Sequence, residues 1–98
     1  MNRVVLDGSR WATREDFYQA ILAALGAPSW HGHNLDALND SIGGGDINTL
    51  NPPVEITIVG TEFMAEPAAT VVDGFRLLVE DLQKQGVEII IETTLGAA

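Results

Sequence analysis

The sequence lacks cysteine and has few cationic side chains. Without cysteine, neither a disulfide framework nor a thiolate metal site can form. Only 5 lysines and arginines stand against 14 aspartates and glutamates, which gives a formal net charge of −9. A free-standing nucleic-acid binder needs a basic surface to displace counterions from phosphates, so we expect no nucleic-acid partner. Acidic surfaces favour encounters with basic proteins, although they also serve solubility alone.

Long apolar runs are absent as well. No stretch approaches the ~20 consecutive apolar residues of a membrane helix. The first residues, Met1 to Val4, lack the apolar stretch and cleavage site of a signal peptide. We therefore expect a cytoplasmic protein with no membrane partner. A length of 98 residues, 46% of them hydrophobic, predicts a single domain spanning residues 1–98.

Short segments rich in β-branched residues predict the strands of an α/β fold. The strands are expected at residues 3–7, 54–59 and 87–91. The residues after Glu92 are expected to fray. Residues 43–53 read as an exposed loop, and residues 61–64 are ambiguous, with room for a short helical turn. Alternating strands and helices predict a small three-stranded parallel sheet packed against three to four helices.

Apolar residues at helical spacing predict three helices. The helices are expected at residues 13–25, 34–42 and 67–85. Thr13 and Asn34 have side chains that cap helix N-termini, while Gly26 and Gly86 suit left-handed helix ends. Pro67 is expected in the first helical turn, where its missing N–H does no harm.

A polar cluster surrounds the start of the second helix. It consists of the run Trp30-His31-Gly32-His33-Asn34-Leu35-Asp36, followed by Asn39 and Asp40. A catalytic interpretation would use one histidine as a general base oriented by a carboxylate. A metal interpretation would take both histidines with one of the aspartates.

Supporting features for these two interpretations are missing. Ser41 belongs to no nucleophile motif, and the glycines at 43–45 follow a helix, whereas a phosphate-binding loop follows a strand. We therefore expect no enzymatic activity, no metal site and no cofactor.

A binding interpretation rests on Asp36 and Asp40, which lie one helical turn apart and share a face. Such a face is commonly just solvated. Trp30 and Gly32 lie next to it, and a large aromatic residue beside a tight turn is typical of a binding surface. Trp30 could equally act as a hydrophobic staple onto the helix.

The stretch from Pro28 to Asp40, PSWHGHNLDALND, resembles the signature of the barstar family, the intracellular inhibitors of barnase-type ribonucleases. The family pattern is an aromatic pair, Gly, any residue, Asn-Leu-Asp-Ala-Leu, an aromatic residue and Asp. The resemblance covers almost the whole chain, including the predicted strand at 54–59 and the segment GVEII at 86–90.

The resemblance implies that the second helix and its preceding loop enter a ribonuclease active site. Asp40 would then occupy the position of the RNA phosphate and face the arginines and the acid–base histidine of the enzyme. Asp36 would meet the region that recognises guanine, and Trp30 would pack on the catalytic histidine or its rim. Gly32 and Asn34 would shape the loop and the helix start.

The resemblance also implies further contacts. Leu35 is expected partly at the interface, and His31, Asn39 and Gly44 are expected to contact the partner. In the last helix, Asp81 (or Glu80, if the register slips by one) is expected to reach a basic patch.

The function implied by the resemblance is that of an immunity protein against a barnase-like ribonuclease, monomeric when free. The alternative is a barstar-like binding module for a basic partner or toxin that is not a ribonuclease.

Four features depart from the family pattern. Asn39 replaces an aromatic residue, His31 occupies the second aromatic position, and His33 stands where the family often has an acidic or other polar residue. The loop at 43–53 is longer than usual and lacks an aromatic residue after its glycines. These changes concern the identity of the target more than the fold. The two histidines make pH-dependent binding a hypothesis, because histidine changes its charge near neutral pH.

Overall fold

Strands and helices alternate along the chain, as a computed structural model of residues 1–44 and 47–94 describes. The elements are β1 (Asn2–Asp7), α1 (Arg14–Leu25), α2 (Leu35–Gly44), β2 (Val54–Val59), a 3₁₀ turn (Thr61–Phe63), α3 (Ala68–Lys84) and β3 (Ile89–Thr94). The three strands form one parallel sheet in the order β1-β2-β3. The predicted α/β fold, with three helices on a three-stranded parallel sheet, is confirmed.

The core lies between the sheet and the helices. The alternate residues Val54, Ile56 and Ile58 of the central strand are fully buried, which is the pattern of a strand with one face on the core. Above them, the rings of Phe17 in α1 and Phe75 in α3 pack with their centroids 5.3 Å apart. The aromatic pair joins α1 to α3 and so provides a rigid base for α2, which packs against α3.

The predicted helix caps are present. The Thr13 side chain accepts a hydrogen bond from the Asp16 N–H, and the Asp16 carboxylate accepts from the Thr13 and Ala12 N–H groups. These backbone hydrogen bonds lower the pKa of Asp16 below its ordinary value. Gly26 ends α1 at φ 66°, and Asn34 Oδ1 accepts from the Ala37 N–H at 2.7 Å at the start of α2. The two caps fix the ends of the segment between α1 and α2.

The third strand begins and ends later than predicted. Val87 donates its N–H to the Leu82 carbonyl, so residue 87 still belongs to the end of α3, and the Glu88 carbonyl accepts the first hydrogen bond from Val54 of β2. The strand instead starts at Ile89 and continues to Thr94, because six residues of β2 are available for pairing, up to Val59 opposite Thr94. The prediction that residues beyond Glu92 fray was therefore wrong for residues 93 and 94.

Two boundaries of the helices also differ from the prediction. Helix α2 continues through Gly43 and Gly44, two residues beyond the predicted end at residue 42, so the predicted loop started too early. Gly45 lies outside the described residues. Pro67 occupies the N-cap position of α3, one residue before the first helical turn.

Candidate protein-binding surface

The segment between α1 and α2, residues 26–34, is called here the binding loop. Its fold is held by a turn in which the His31 N–H donates to the Pro28 carbonyl at 3.0 Å. Trp30 lies at the tip of this turn and is 73% exposed. An indole this exposed is not packed onto α2, so the structure contradicts the alternative that Trp30 acts as a hydrophobic staple.

A small pocket, the Trp30 pocket, lies between the binding loop, α2 and the segment that follows α2. Its volume is about 180 Å³. The lining residues are Trp30, His31, Gly32, Ala37, Asp40, Ser41 and Ile47. Two large apolar side chains, Trp30 and Ile47, and the Asp40 carboxylate thus border a single concavity, which suits a partner group that is both flat and cationic.

The floor of the Trp30 pocket is polar and buried. His31 is only 5% exposed, and its Nδ1 lies 2.7 Å from the Gly32 carbonyl oxygen. Its Nε2 lies 2.8 Å from the hydroxyl of Ser41, to which Asn48 Nδ2 donates a hydrogen bond at 3.1 Å. The sequence predicted His31 as a partner contact, and the structure places its ring beneath the surface.

A second concave region, the α2–α3 groove, lies on the other side of α2. Its volume is about 390 Å³. The lining residues are Leu35, Asp36, Asn39, Gly74, Leu77, Leu78, Asp81 and Gln85. A Cβ atom at Gly74 would lie 2.9 Å from Leu35 Cδ1, so the glycine lets the two helices approach closely.

The groove continues toward the start of the helices. There a cavity of about 420 Å³ shares Leu35, Asp36 and Gly74 with the groove and is bordered by Arg14 and Tyr18 of α1. Burial raises the pKa of the Tyr18 hydroxyl, and the nearby Arg14 opposes that rise. The predicted contacts of the second helix therefore lie on two sides of α2. Leu35, Asp36 and Asn39 border the groove, whereas Asp40 borders the Trp30 pocket.

The carboxylates of Asp36, Asp40 and Asp81 have no ion-pair partner among the residues that the structure describes. All three are exposed. Unpaired carboxylates on packed helices keep their negative potential directed at solvent and at an approaching partner. Glu80, the alternative to Asp81, instead borders a neighbouring surface with Asp73 and Arg76.

His33, which departs from the family pattern, and the predicted contact Gly44 border neither the Trp30 pocket nor the α2–α3 groove. His33 Nδ1 lies 2.5 Å from Glu15 Oε1, and its ring is 6.4 Å from that of Tyr18, so His33 ties the binding loop to α1. Gly44 is exposed at the end of α2, with no described atom within 4 Å of where a Cβ would be.

Sequence reasoning missed two exposed apolar residues at this surface. Ile47 is 39% exposed in the Trp30 pocket, and Leu77 is 64% exposed in the α2–α3 groove. Ile47 is an apolar residue in an otherwise polar, turn-rich stretch, which is a usable signal. Leu77 lies in a helix rich in apolar residues, and its sequence environment does not single it out.

Within 1–44 and 47–94, no three histidine, aspartate or glutamate side chains converge in a way that could hold a metal ion. In the same part of the chain, no helix combines the length and the apolar character needed to cross a bilayer.

A parallel three-stranded sheet with an acidic helical face defines a small α/β domain with a candidate protein-binding surface. The family model described as Barstar (barnase inhibitor) matches residues 1–94. The chain therefore belongs to the barstar family, and the resemblance carried by residues 28–40 is confirmed. No curated protein matches the chain significantly.

Proposed function

We propose that this protein inhibits a barnase-type ribonuclease by covering the active site with the binding loop and α2. The observation that carries the proposal is the carboxylate of Asp40, which has no ion-pair partner within residues 1–44 and 47–94 and borders the same pocket as the exposed indole of Trp30. Membership of a family of barnase inhibitors supports the target class.

Electrostatics support a ribonuclease as the partner. An enzyme that cleaves RNA must bind a polyanion, so its active site concentrates arginine, lysine and histidine. A chain with a net charge of −9 and three unpaired carboxylates on helices matches such a field and accelerates the encounter. In the proposed complex, Asp40 takes the place of the RNA phosphate and Asp36 faces the guanine-recognising region.

Shape supports the same assignment. Trp30 and Ile47 form apolar borders around Asp40, so a partner side chain that enters the pocket is shielded from water on two sides. Exclusion of water strengthens the interaction of the carboxylate with a cationic group. The helix that carries Asp40 is already packed in the free protein, which limits the entropy lost on binding.

The test is titration of the purified protein into an activity assay of a barnase-type ribonuclease. We expect stoichiometric inhibition by the natural sequence. Asp40→Ala should weaken inhibition by about ten- to hundredfold, because it leaves a cationic group of the enzyme without its charged hydrogen-bond partner. Since Asp40 is exposed, its replacement should leave the free energy of unfolding unchanged.

The matched control is Asp73→Ala, which removes the same charge from an exposed position of α3 outside the groove. It should inhibit like the natural sequence. Failure of the natural sequence to inhibit would overturn the ribonuclease assignment and favour a different basic partner. Unfolding of Asp40→Ala would show that Asp40 is a structural residue and that the site is wrongly assigned.

A further inference from the structure

Three buried polar side chains lie beneath the Trp30 pocket. His31, Ser41 and Asn48 are 5%, 1% and 5% exposed, and they are the only polar side chains buried to this degree among residues 1–44 and 47–94. They come from the binding loop, from α2 and from the segment between α2 and β2. These three buried polar side chains are therefore grouped under one surface feature.

The hydrogen bonds of this buried polar chain run in one direction. A carbonyl oxygen only accepts, so His31 Nδ1, at 2.7 Å from the Gly32 oxygen, carries a hydrogen. In neutral His31 the other ring nitrogen, Nε2, must then accept the hydrogen of the Ser41 hydroxyl at 2.8 Å. Asn48 Nδ2 donates to the same hydroxyl oxygen at 3.1 Å.

The Ser41 hydroxyl has one hydrogen and two acceptors within reach. The Leu38 carbonyl oxygen lies at 3.3 Å, compared with 2.8 Å for His31 Nε2. The shorter separation assigns the hydrogen to the histidine. Neutral His31 is therefore fixed as the tautomer with its hydrogen on Nδ1.

Each member of the chain is the sequence neighbour of a residue at the rim of the pocket. The adjacent pairs are Trp30–His31, Asp40–Ser41 and Ile47–Asn48. The rim residues themselves come from three separate segments, and no strand pairing joins the two irregular ones. Backbone hydrogen bonds join them at one end, where the Thr49 N–H donates to the Gly26 carbonyl. The buried side-chain hydrogen bonds connect the three segments directly behind the rim.

We propose that the chain Asn48–Ser41–His31–Gly32 is the positioning device of the Trp30 pocket, with His31 as its central positioning residue. For its effect on inhibition, this inference rests on the proposed function. Apolar side chains of equal volume would fill the space without fixing directions, whereas buried hydrogen bonds favour one arrangement. The one atom of the chain left over is Asn48 Oδ1, which is buried and has no hydrogen-bond partner among the described residues. The network thereby holds Trp30, Asp40 and Ile47 in the arrangement that a partner meets.

The first test uses the free protein and does not depend on any partner. In ¹⁵N NMR spectra at pH 8, His31 should show the neutral tautomer protonated at Nδ1. A hydrogen on Nε2, or the averaged signals of a freely rotating ring, would overturn the proposal.

The second test compares three variants. His31→Phe keeps a buried ring but loses both hydrogen bonds, and His31→Gln keeps a polar terminus within reach of Ser41. Val79→Ala removes fully buried volume from α3 and lowers stability without touching the network. We expect fast backbone mobility of residues 29–33, measured by ¹⁵N relaxation, to rise in His31→Phe only.

Inhibition of a barnase-type ribonuclease by the same variants completes the test. His31→Phe should raise Kd at least about tenfold, His31→Gln should recover to within about threefold of the natural sequence, and Val79→Ala should leave Kd unchanged. Natural affinity in His31→Phe, or an equal loss in Val79→Ala, would overturn the positioning role. If His31→Phe does not fold, Ser41→Ala removes the central hydroxyl and takes its place.

The two proposals fail in different ways. If the natural sequence does not inhibit the ribonuclease, the proposed function fails, and the tautomer and the mobility of residues 29–33 still decide whether the network positions the loop. If the natural sequence inhibits and the network variants inhibit equally well, the proposed function stands and the positioning role is overturned.

Discussion

The two concave regions on either side of α2 are built in opposite ways. The Trp30 pocket is small, about 180 Å³, and rests on the buried polar side chains of His31 and Ser41. The α2–α3 groove is about twice as large and is floored by the apolar side chains of Leu35 and Leu78 with Gly74 between the helices. Directional hydrogen bonds shape the pocket, whereas helix packing shapes the groove.

The difference follows from the segments that form each region. The groove lies between two helices, whose backbone hydrogen bonds are satisfied internally and whose separation is set by side-chain volume. The pocket lies between one helix and two irregular segments, which have no repeating backbone pattern to fix them. Side-chain hydrogen bonds add to the two backbone bonds that join residues 49 and 50 to residues 25 and 26, so the pocket should be the more precisely defined and the more easily misaligned of the two regions.

The largest difference between the regions should appear when each loses its exposed apolar residue. Trp30→Ala should raise Kd for a barnase-type ribonuclease at least about tenfold, because a flat aromatic group contributes more buried area than any other side chain there. Leu77→Ala should raise Kd by about threefold, since a leucine in an open groove remains partly hydrated. Inhibition titrations of both variants provide the measurement.

Chemical denaturation is the control for this pair. Both side chains are largely exposed, so the free energy of unfolding should change by less than about 0.5 kcal/mol in either variant. A larger loss of affinity in Leu77→Ala than in Trp30→Ala would contradict the ranking and place the centre of the interface in the groove.

Regular elements with strong local signals were predictable from the sequence. Helix α1 starts at the predicted Thr13 cap and ends at the predicted Gly26, because both ends are determined by residues within one turn. Strand β3 was misplaced because its limits depend on pairing with β2, which the segment GVEII does not encode locally. Thr93 and Thr94 read as part of a polar tail, yet their positions opposite Ile58 and Val59 make them strand residues.

The residues of the candidate site also divide into those that the local sequence predicts and those that only the fold reveals. Trp30, Asp36 and Asp40 were predicted because the motif groups them, and all three are exposed. The partnership of His31 with Asn48 was not predictable, because it joins residues 17 positions apart through tertiary packing around Ser41. Asn48 reads as an ordinary turn residue in a turn-rich stretch, and only the fold reveals that it is buried.

A change confined to the groove should sharpen the contrast between the regions. Gly74→Ala places a methyl group about where Leu35 Cδ1 now approaches, 2.9 Å from the new Cβ, so the flexible end of Leu35 must move into the groove. Alanine also favours the helix by about 1 kcal/mol over glycine, which offsets the cost of that movement. We expect a free energy of unfolding within about 1 kcal/mol of the natural value and a rise in Kd of about threefold.

Inhibition titrations and denaturation of Gly74→Ala measure both quantities, with Asp73→Ala as the control on the same helix outside the groove. The ¹⁵N tautomer signals of His31 should be unchanged, because the buried polar chain lies on the opposite side of α2. Altered His31 signals in Gly74→Ala would show that the two regions are coupled through α2 and are not shaped independently.

The smallest effect is expected from the two neighbouring carboxylates of α3. Asp81 borders the groove and Glu80 borders the adjacent surface, so Asp81→Asn should slow association with a barnase-type ribonuclease by about two- to threefold at low salt, and Glu80→Gln by less. Stopped-flow association rates at low and high salt measure this difference, which should disappear at about 1 M salt, where the Debye length falls to about 3 Å. The two variants lose the same charge from exposed positions, so each controls for the other. Equal slowing by both would mean that the helix contributes only its overall charge, and the groove would then have no specific role for Asp81.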